Sequence, residues 1–407
     1  MTLGGMAWRY LWHRPLVTSL TLAGVLLGTA LVSSVLTLRR EVESALLREG
    51  HLFDLVVGAK GSPLQLVLSS LYHLDVPTGN IPLSVFENIQ KDARVKAAYA
   101  IGLGDNYRGY RIIGVQNAFR ELAHRDGTPA ITLAQGHWFA EPFHAVMGAQ
   151  VAQQTGLRVG DTFVGYHGLL ATPGAEAHAD YPYTVVGILK ATGTAQDRSI
   201  LVHLDSVWRV HDAERVRHGA ATASPEVTAV LVQLRTPGLR LLMARTLTDT
   251  TPAMAAIPLQ ELLRLSEQIL GPLHQVLLAI SFLVVLVAVL SSSATLYQSA
   301  ERQRRDLAIL RMLGAHPHEL FVLVLLQAGW LAVLGVGAGW VTGHGLVHLA
   351  AHLVQQRSGL ILYSWRTDAY EMIALCLVVV MAVLAGLLPA LASYRRTPAT
   401  DLRTQAG

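Results

Sequence analysis

Four stretches of this 407-residue chain contain no Asp, Glu, Lys or Arg: Leu16 to Leu38, Gly271 to Tyr297, Leu320 to Leu353 and Met372 to Tyr394, of 23, 27, 34 and 23 residues. A bilayer core about 30 Å thick is crossed by about 20 helical residues, so each stretch is long enough to span it as an α-helix. The composition agrees, because 52% of residues are hydrophobic and only 15% charged, against about 25% charged in an ordinary soluble domain. The third stretch exceeds one crossing, which predicts that part of it tilts, breaks or leaves the hydrocarbon. Arg9 and Arg14 precede the first stretch as they would in a signal peptide. A signal-peptide apolar region has about 7–15 residues, however. This one runs unbroken to Arg39-Arg40 and reads as a retained anchor.

Orientation follows from the arginines, since Lys and Arg gather in cytoplasmic loops. With the N-terminus inside, Arg9, Arg14, Arg302, Arg304, Arg305, Arg311, Arg395, Arg396 and Arg403 all fall on the cytoplasmic side. The loop after the third stretch has only Arg357 and Arg366, and Arg39-Arg40 run against the pattern. The expected layout is a cytoplasmic segment 1–15, a first span 16–38, an extracytoplasmic region 39–270 and a second span 271–297. A cytoplasmic segment 298–318, a third span 319–353, an external loop 354–370, a fourth span 371–394 and a cytoplasmic tail 395–407 follow.

Residues 39–270 are numerous enough to bury a core of their own. Beside the first span, Val42, Leu46 and Glu49 share a helical face with Ala45 next to them; before the second, Leu259, Leu262, Leu263, Ile269 and Leu270 recur at helical spacing. Both read as helical extensions forming a stalk. Between them the pattern shifts towards strands at Tyr110–Val115, Thr162–Tyr166, Tyr183–Ile188, Ile200–His203 and Val227–Leu234. Clusters such as Gly104-Asp-Asn106 and Thr172-Pro-Gly174 separate them. The predicted fold class is a membrane protein with four transmembrane α-helices, one N-terminal and three C-terminal. A mixed α/β extracytoplasmic domain of two subdomains sits on a helical stalk. The single Cys376, in an apolar stretch, leaves no intrachain disulfide to support it.

Several chemistries find no matching residues. An ATP-cradling Walker loop needs a Gly-Lys pair, and Lys60, Lys91, Lys96 and Lys190 follow Ala, Gln, Val and Leu. No His-Glu-x-x-His helix signals a zinc protease. Nucleic-acid binding is disfavoured, since 32 basic residues form no dense run with interleaved aromatics. Ten of the 17 histidines lie in 39–270 without diagnostic spacing. His344, His348 and His352, spaced four apart near the outer end of the third span, are either metal-ligand candidates or a polar stripe. His51, Asp54, His73 and Asp75 flank an apolar stretch and offer ligand types without a readable geometry. Gly335, Gly339 and Gly343 form a ladder that permits close backbone approach of a neighbouring helix, in this chain or another.

Between the second and third spans lies Glu301-Arg-Gln-Arg-Arg-Asp-Leu-Ala-Ile-Leu-Arg-Met-Leu-Gly314. Asp306, Leu310 and Leu313 fall on one side, with Ile309 and Met312 adjacent. Gly314 is placed to end the helix and Pro317 to begin the next. A short amphipathic helix here can lie in the headgroup layer, tie the spans together, or dock in a groove of a soluble partner.

With these residues the sequence resembles the MacB/FtsX-like permeases of ABC transporters, whose segment between the second and third spans reads Glu-Arg, a basic pair, an apolar helix and Leu-Gly-Ala. Gly386-Leu-Leu-Pro-Ala390, Tyr394-Arg-Arg396, Pro398 and Asp401-Leu-Arg403 resemble the family's closing pattern. Met147-Gly-Ala-Gln-Val-Ala152, Gly156 to Asp161 and Val185 to Leu189 resemble its core domain. The resemblance implies a non-catalytic subunit of the bacterial inner membrane with its large domain in the periplasm. It pairs with a second permease, identical or related, and binds two copies of a separate ATPase that carries ATP and Mg. Glu301, Arg302, Arg305, Asp306, Ile309, Leu310, Leu313 and Gly314 would form the coupling helix. Some family members carry a fused ATPase, for which this sequence has no Walker lysine. The implied cargo is open among lipoprotein or lipid, peptide or drug, and metal-linked traffic, with a periplasmic or lipoprotein partner. The alternative is an FtsX-like mechanotransmitter regulating a cell-wall hydrolase.

Overall fold

The computed structural model describes residues 2–13, 15–169, 176–217, 224–302, 309, 312, 314–358 and 361–395. The first half of the chain runs α1 (Leu3–Trp12), α2 (Pro15–Gly50), β1 (Leu55–Ala59), α3 (Pro63–Leu71), β2 (Ile81–Pro82), α4 (Leu83–Lys91), β3 (Val95–Tyr107), β4 (Tyr110–Val115), β5 (Leu133–Gly136), β6 (His144–Met147) and α5 (Ala149–Thr155). There follow β7 (Thr162–Phe163), β8 (Tyr166–His167), β9 (Tyr183–Leu189), β10 (Ser199–His203), α6 (Leu204–Arg217), β11 (Glu226–Val227), β12 (Ala229–Leu234), α7 (Arg240–Thr250) and β13 (Ala253–Ala256). Helices α8 (Pro258–Leu265), α9 (Gly271–Arg302), α10 (Pro317–Ser358), α11 (Ala369–Ala385) and α12 (Leu387–Arg395) follow among the described residues.

Among the described residues, four helical runs are long and apolar enough to cross a membrane: Pro15–Gly50, Pro258–Ser299, Pro317–Gln356 and Ala369–Leu391. The chain divides into two compact units, Met1–Glu41 with Leu270–Ala351 and Tyr363–Gly407, and Val42–Ile269 with His352–Leu362.

In the first unit Val25 and Val32 of α2, Val285 of α9, Val336 of α10 and Leu375 and Val378 of α11 make an apolar core. Large apolar side chains also point outwards, with Leu20 78%, Leu283 58% and Leu290 60% exposed. That arrangement suits helices solvated by lipid rather than water. The third apolar stretch neither breaks nor ends early; α10 is one helix of 42 residues. The interruption falls in the fourth run instead, where α11 stops at Gly386 and α12 begins. Pro389 has no amide hydrogen to donate, so the helical ladder cannot continue unchanged through this turn.

The second unit is built on one eleven-stranded sheet in the order β13-β1-β12-β3-β4-β10-β6-β9-β5, with β7 paired to β9 and β8 to β3. β10 lies parallel to β4 and β6 parallel to β9, while the other pairs are antiparallel. Every residue of β4 and of β12 is buried, as strands covered on both faces require. One core gathers Leu55, Phe86, Ile89 and Val230, and a second Ile112, Met147, Tyr183 and Ile200. Each such buried aliphatic or aromatic side chain contributes about 1.5–3 kcal/mol. The two cores share this single sheet, where the sequence pattern anticipated two subdomains. Helix ends are fixed locally: the Ser62 side chain accepts from the amide of Gln65 before Pro63 opens α3, and Gly156, at φ +76°, closes α5.

Three details differ from the expected strands. Val227–Leu234 is broken at Thr228, where β11, paired with β2 in a separate two-stranded sheet, gives way to β12. Thr162–Tyr166 is two short strands rather than one, because β7 pairs with β9 and β8 with β3. Gly104-Asp-Asn106 is not a break but lies within the 13-residue strand β3, close to its C-terminal end. The register against β4 slips there, from Leu103↔Ile113 to Asp105↔Ile112, leaving Gly104 as the extra residue of a bulge.

Candidate functional site

Between α9 and α10 the described residues are Ile309, Met312 and Gly314 to His316. Glu301 is half-buried on the last turn of α9, which ends at Arg302. Gly314, at φ +102°, adopts backbone that side-chain-bearing residues avoid. Glu319 then accepts the amide of His316 at 2.8 Å, capping α10 as Pro317 begins it. Ile309 and Met312 lie in helical backbone with side chains 41% and 66% exposed. Arg305, Asp306, Leu310 and Leu313 fall outside the described residues.

The glycine ladder of α10 faces α2 of the same chain. A Cβ on Gly335 would meet Val25 Cγ1 at 2.7 Å, one on Gly339 Thr29 Cβ at 2.6 Å and Leu26 O at 2.7 Å, and one on Gly343 Ala30 O at 2.8 Å. Val25, Thr29 and Ser33 repeat every four residues, so the two helices interlock with matching period. Ser34 Oγ donates to Gly343 O at 3.2 Å within this seam.

His344, His348 and His352 do not converge. His344 is fully buried; its Nε2 lies 2.8 Å from Glu371 Oε1 and its Nδ1 bonds the Ser364 carbonyl. Its ring stacks on Trp365 with centroids 5.7 Å apart and meets Trp340 edge-on at 4.9 Å, and the two indoles touch each other at 6.3 Å. His348 Nδ1 reaches Ser364 Oγ at 3.1 Å, while His352 is exposed. Glu371 also accepts from Ser33 Oγ at 2.6 Å, and its own amide donates to Asp368 at 2.8 Å, which caps α11. Glu371 opens the expected fourth span but stands one position before its charge-free stretch, so a scan of the charge-free stretches alone passes over a carboxylate that is 1% exposed.

Nor do His51, Asp54, His73 and Asp75 form one site. Asp54 is buried and ion-paired with Arg125 and Arg240, and it accepts the Leu234 amide at 2.7 Å. Both ring nitrogens of His73 are buried; desolvation first, and the Arg111 guanidinium second, push its pKa down to about 3. The metal-type ligands that do come together among the described residues are Asp105, His167 and His211. Their positions in three separate elements carry no spacing signal that the sequence could have shown.

These features define a class: a helical membrane protein with a mixed α/β domain inserted between its first and second spanning helices. The family model for the MacB-like periplasmic core domain matches residues 18–239, and that for the FtsX-like permease C-terminal region matches 278–398. The first covers more than half of the chain, which belongs to the MacB/FtsX-like family of ABC transporter permeases.

An uncharacterized ABC transporter permease of Mycobacterium tuberculosis is 24% identical over 417 residues, covering 98% of this chain and 44% of that protein. Another from Methanocaldococcus jannaschii is 22% identical over 227 residues, covering 55% of each. The chain thus spans about half the length of the curated relatives it matches. Among solved structures, the extracellular domain of the noncanonic ABC-type transporter YknZ from Gram-positive bacteria matches at 12% identity and a TM-score of 0.30, over 50% of this chain and 98% of that one. The periplasmic region of MacB from Actinobacillus actinomycetemcomitans matches at 10% identity and a TM-score of 0.33, over 52% and 94%.

Proposed function

We propose that this chain is the transmembrane subunit of an ATP-driven transporter in a bacterial inner membrane, with its sheet domain in the periplasm. In this reading the segment from Glu301 to Gly314 is a coupling helix. Two copies of a separate ATPase, carrying ATP and Mg, seat it in a groove, and a second permease, identical or related, completes the assembly. Closure of the ATPase on ATP drives the membrane helices, and the periplasmic domain does work on a lipid-linked, peptide-like or metal-linked cargo.

The observation that carries this reading is the exposure of Ile309 and Met312 between the second and third spanning helices. Two apolar side chains exposed in helical backbone fit a partner's groove better than they fit solvent. Ile309→Asp and Met312→Asp, made together in the full chain, should leave membrane insertion unchanged and cut ATPase co-purification at least tenfold. A lost interfacial anchor costs about 2 kcal/mol, and about 1.4 kcal/mol already gives a factor of ten. Undiminished co-purification would remove the coupling assignment. Labelling of Gly314→Cys by an impermeant reagent from the outer side, in a Cys376→Ser background, would overturn the topology as well.

A further inference from the structure

Beyond the transport reading, and independent of it, the sheet domain holds a constellation of ligands that the family assignment does not explain. Asp105 and His167 are directly opposed in the β3–β8 ladder, so their side chains lie on the same face. His211 reaches them from α6, which packs on β3 and β4. The carboxylate oxygen and the two imidazole nitrogens all lie within 4.8 Å of one another. His211 Nε2 is 3.8 Å and His167 Nδ1 is 4.0 Å from Asp105 Oδ1.

Two observations say that this is a built site. The first is Asp105 itself, only 1% exposed, whose Oδ2 is buried without a hydrogen bond. A buried carboxylate oxygen with no donor is costly unless a cation meets it. The second is the bulge at Gly104. A Cβ at that position would collide with the ring of His211, so the glycine keeps open the space into which the imidazole reaches. Bulges commonly re-aim side chains beside functional sites. Beside this core, His178 Nε2 lies 3.1 Å from Asp105 Oδ1, the oxygen that His167 and His211 also approach, and fixes the carboxylate's orientation while Oδ2 stays without a donor, as outer-shell groups do in metal centres.

We propose that Asp105, His167 and His211 bind a divalent transition-metal ion, with Zn²⁺ the best fit, and that His178 positions the carboxylate. Two imidazoles and one carboxylate are zinc's usual N/O donors, and three protein ligands leave a fourth position for water or an exchanging ligand. Bonds of about 2.0–2.1 Å to a tetrahedral ion separate its ligand atoms by about 3.4 Å. The observed 3.8 and 4.0 Å therefore close with side-chain shifts well under the length of a bond. His167 and His211 also line a cavity of about 520 Å³, with Glu176, Asp212 and Arg215 on its wall. A ligand can thus reach the open position without unfolding the domain.

The full chain, purified in detergent, stripped with EDTA and dialysed against zinc, should retain one equivalent. Replacing zinc with Co²⁺ should give the visible absorption of a low-coordinate N/O site. Asp105→Asn and His211→Ala should each weaken zinc binding more than 100-fold in competition with a chromophoric chelator. His178→Ala and Gly104→Ala should weaken it by about 10- to 100-fold, the range for groups that orient ligands, with the cobalt spectrum shifted but present in His178→Ala. His167→Ala, on a half-exposed ring, keeps the test open should a buried variant fail to fold, and His352→Ala should change nothing. A stripped protein that takes up no stoichiometric zinc, or uptake that survives His167→Ala and His211→Ala together, would overturn the proposal. Neither result would bear on ATPase co-purification.

Discussion

Glu371 in the helical unit and Asp105 in the sheet unit are each 1% exposed, and each lies within hydrogen-bond reach of a histidine. Each also leaves its second oxygen without a hydrogen bond. Their surroundings differ. Glu371 Oε1 takes two short contacts, from Ser33 and His344, and the Trp340 and Trp365 rings pack against the imidazole. Asp105 takes one, from His178, and two further imidazoles stand just beyond bonding distance at the rim of a cavity. The first arrangement ties three spanning helices together through one carboxylate. The second sets two imidazoles about 4 Å from a carboxylate oxygen without closing on it. Burial of an acid beside a histidine therefore does not by itself identify a site; what separates the two is whether the partners touch.

Substitution at the two carboxylates tests that difference most sharply. Glu371→Leu strips Ser33 and His344 of their acceptor inside a low-dielectric bundle, and should lower stability by about 3 kcal/mol, read as thermal inactivation in detergent. Glu371→Gln keeps an acceptor and should cost about half as much. Asp105→Asn, measured in EDTA, removes a charge whose partners are loosely arranged and should stay within about 1 kcal/mol of the parent. Equal losses at both positions would erase the distinction.

Close packing offers the next largest effect. Gly339→Ala forces a Cβ to within 2.7 Å of the Leu26 carbonyl and 2.6 Å of Thr29 Cβ, so α2 and α10 must separate. Overpacking of this kind costs about 1–3 kcal/mol. Gly337, two positions earlier, has nothing within 4 Å of its would-be Cβ, and Gly337→Ala should be neutral. A loss at Gly337 equal to that at Gly339 would mean the seam is not where the helices are held.

The same contrast explains what could be read in advance. The spanning helices were legible because lipid demands unbroken apolar runs, and the ladder Gly335-Gly339-Gly343 announced a close contact without naming its partner. Strands β4, β9, β10 and β12 announced themselves through β-branched runs. Strand β3 did not, since Gly104 and Asp105 are turn formers that here sit in a bulge. Glu371 escaped notice because it lies just outside a charge-free run, and only the fold brings it to His344. Regular spacing of His344, His348 and His352 revealed a shared helix face but not what that face meets. Asp105, His167 and His211 meet through strand register and helix packing, which no local pattern encodes.

The smallest effect concerns a histidine that neither cluster uses. His73 stands at φ +54° with both ring nitrogens buried, and burial, reinforced by the Arg111 charge, holds its pKa down to about 3. The fold therefore keeps this imidazole neutral, whereas the unfolded chain protonates it near pH 6.5. Between pH 6.5 and about 3 the unfolded state binds the extra proton. Stability is thus full above pH 6.5 and falls on acidification by up to about 1.4 kcal/mol per unit. His73→Asn tolerates the left-handed backbone and cannot titrate in this range. Denaturation of the full chain at pH 7 and pH 5 should show the parent losing about 2 kcal/mol more than the variant between these conditions. Parallel losses would mean that His73 is already charged in the fold, with solvent reaching a ring that the packing should exclude.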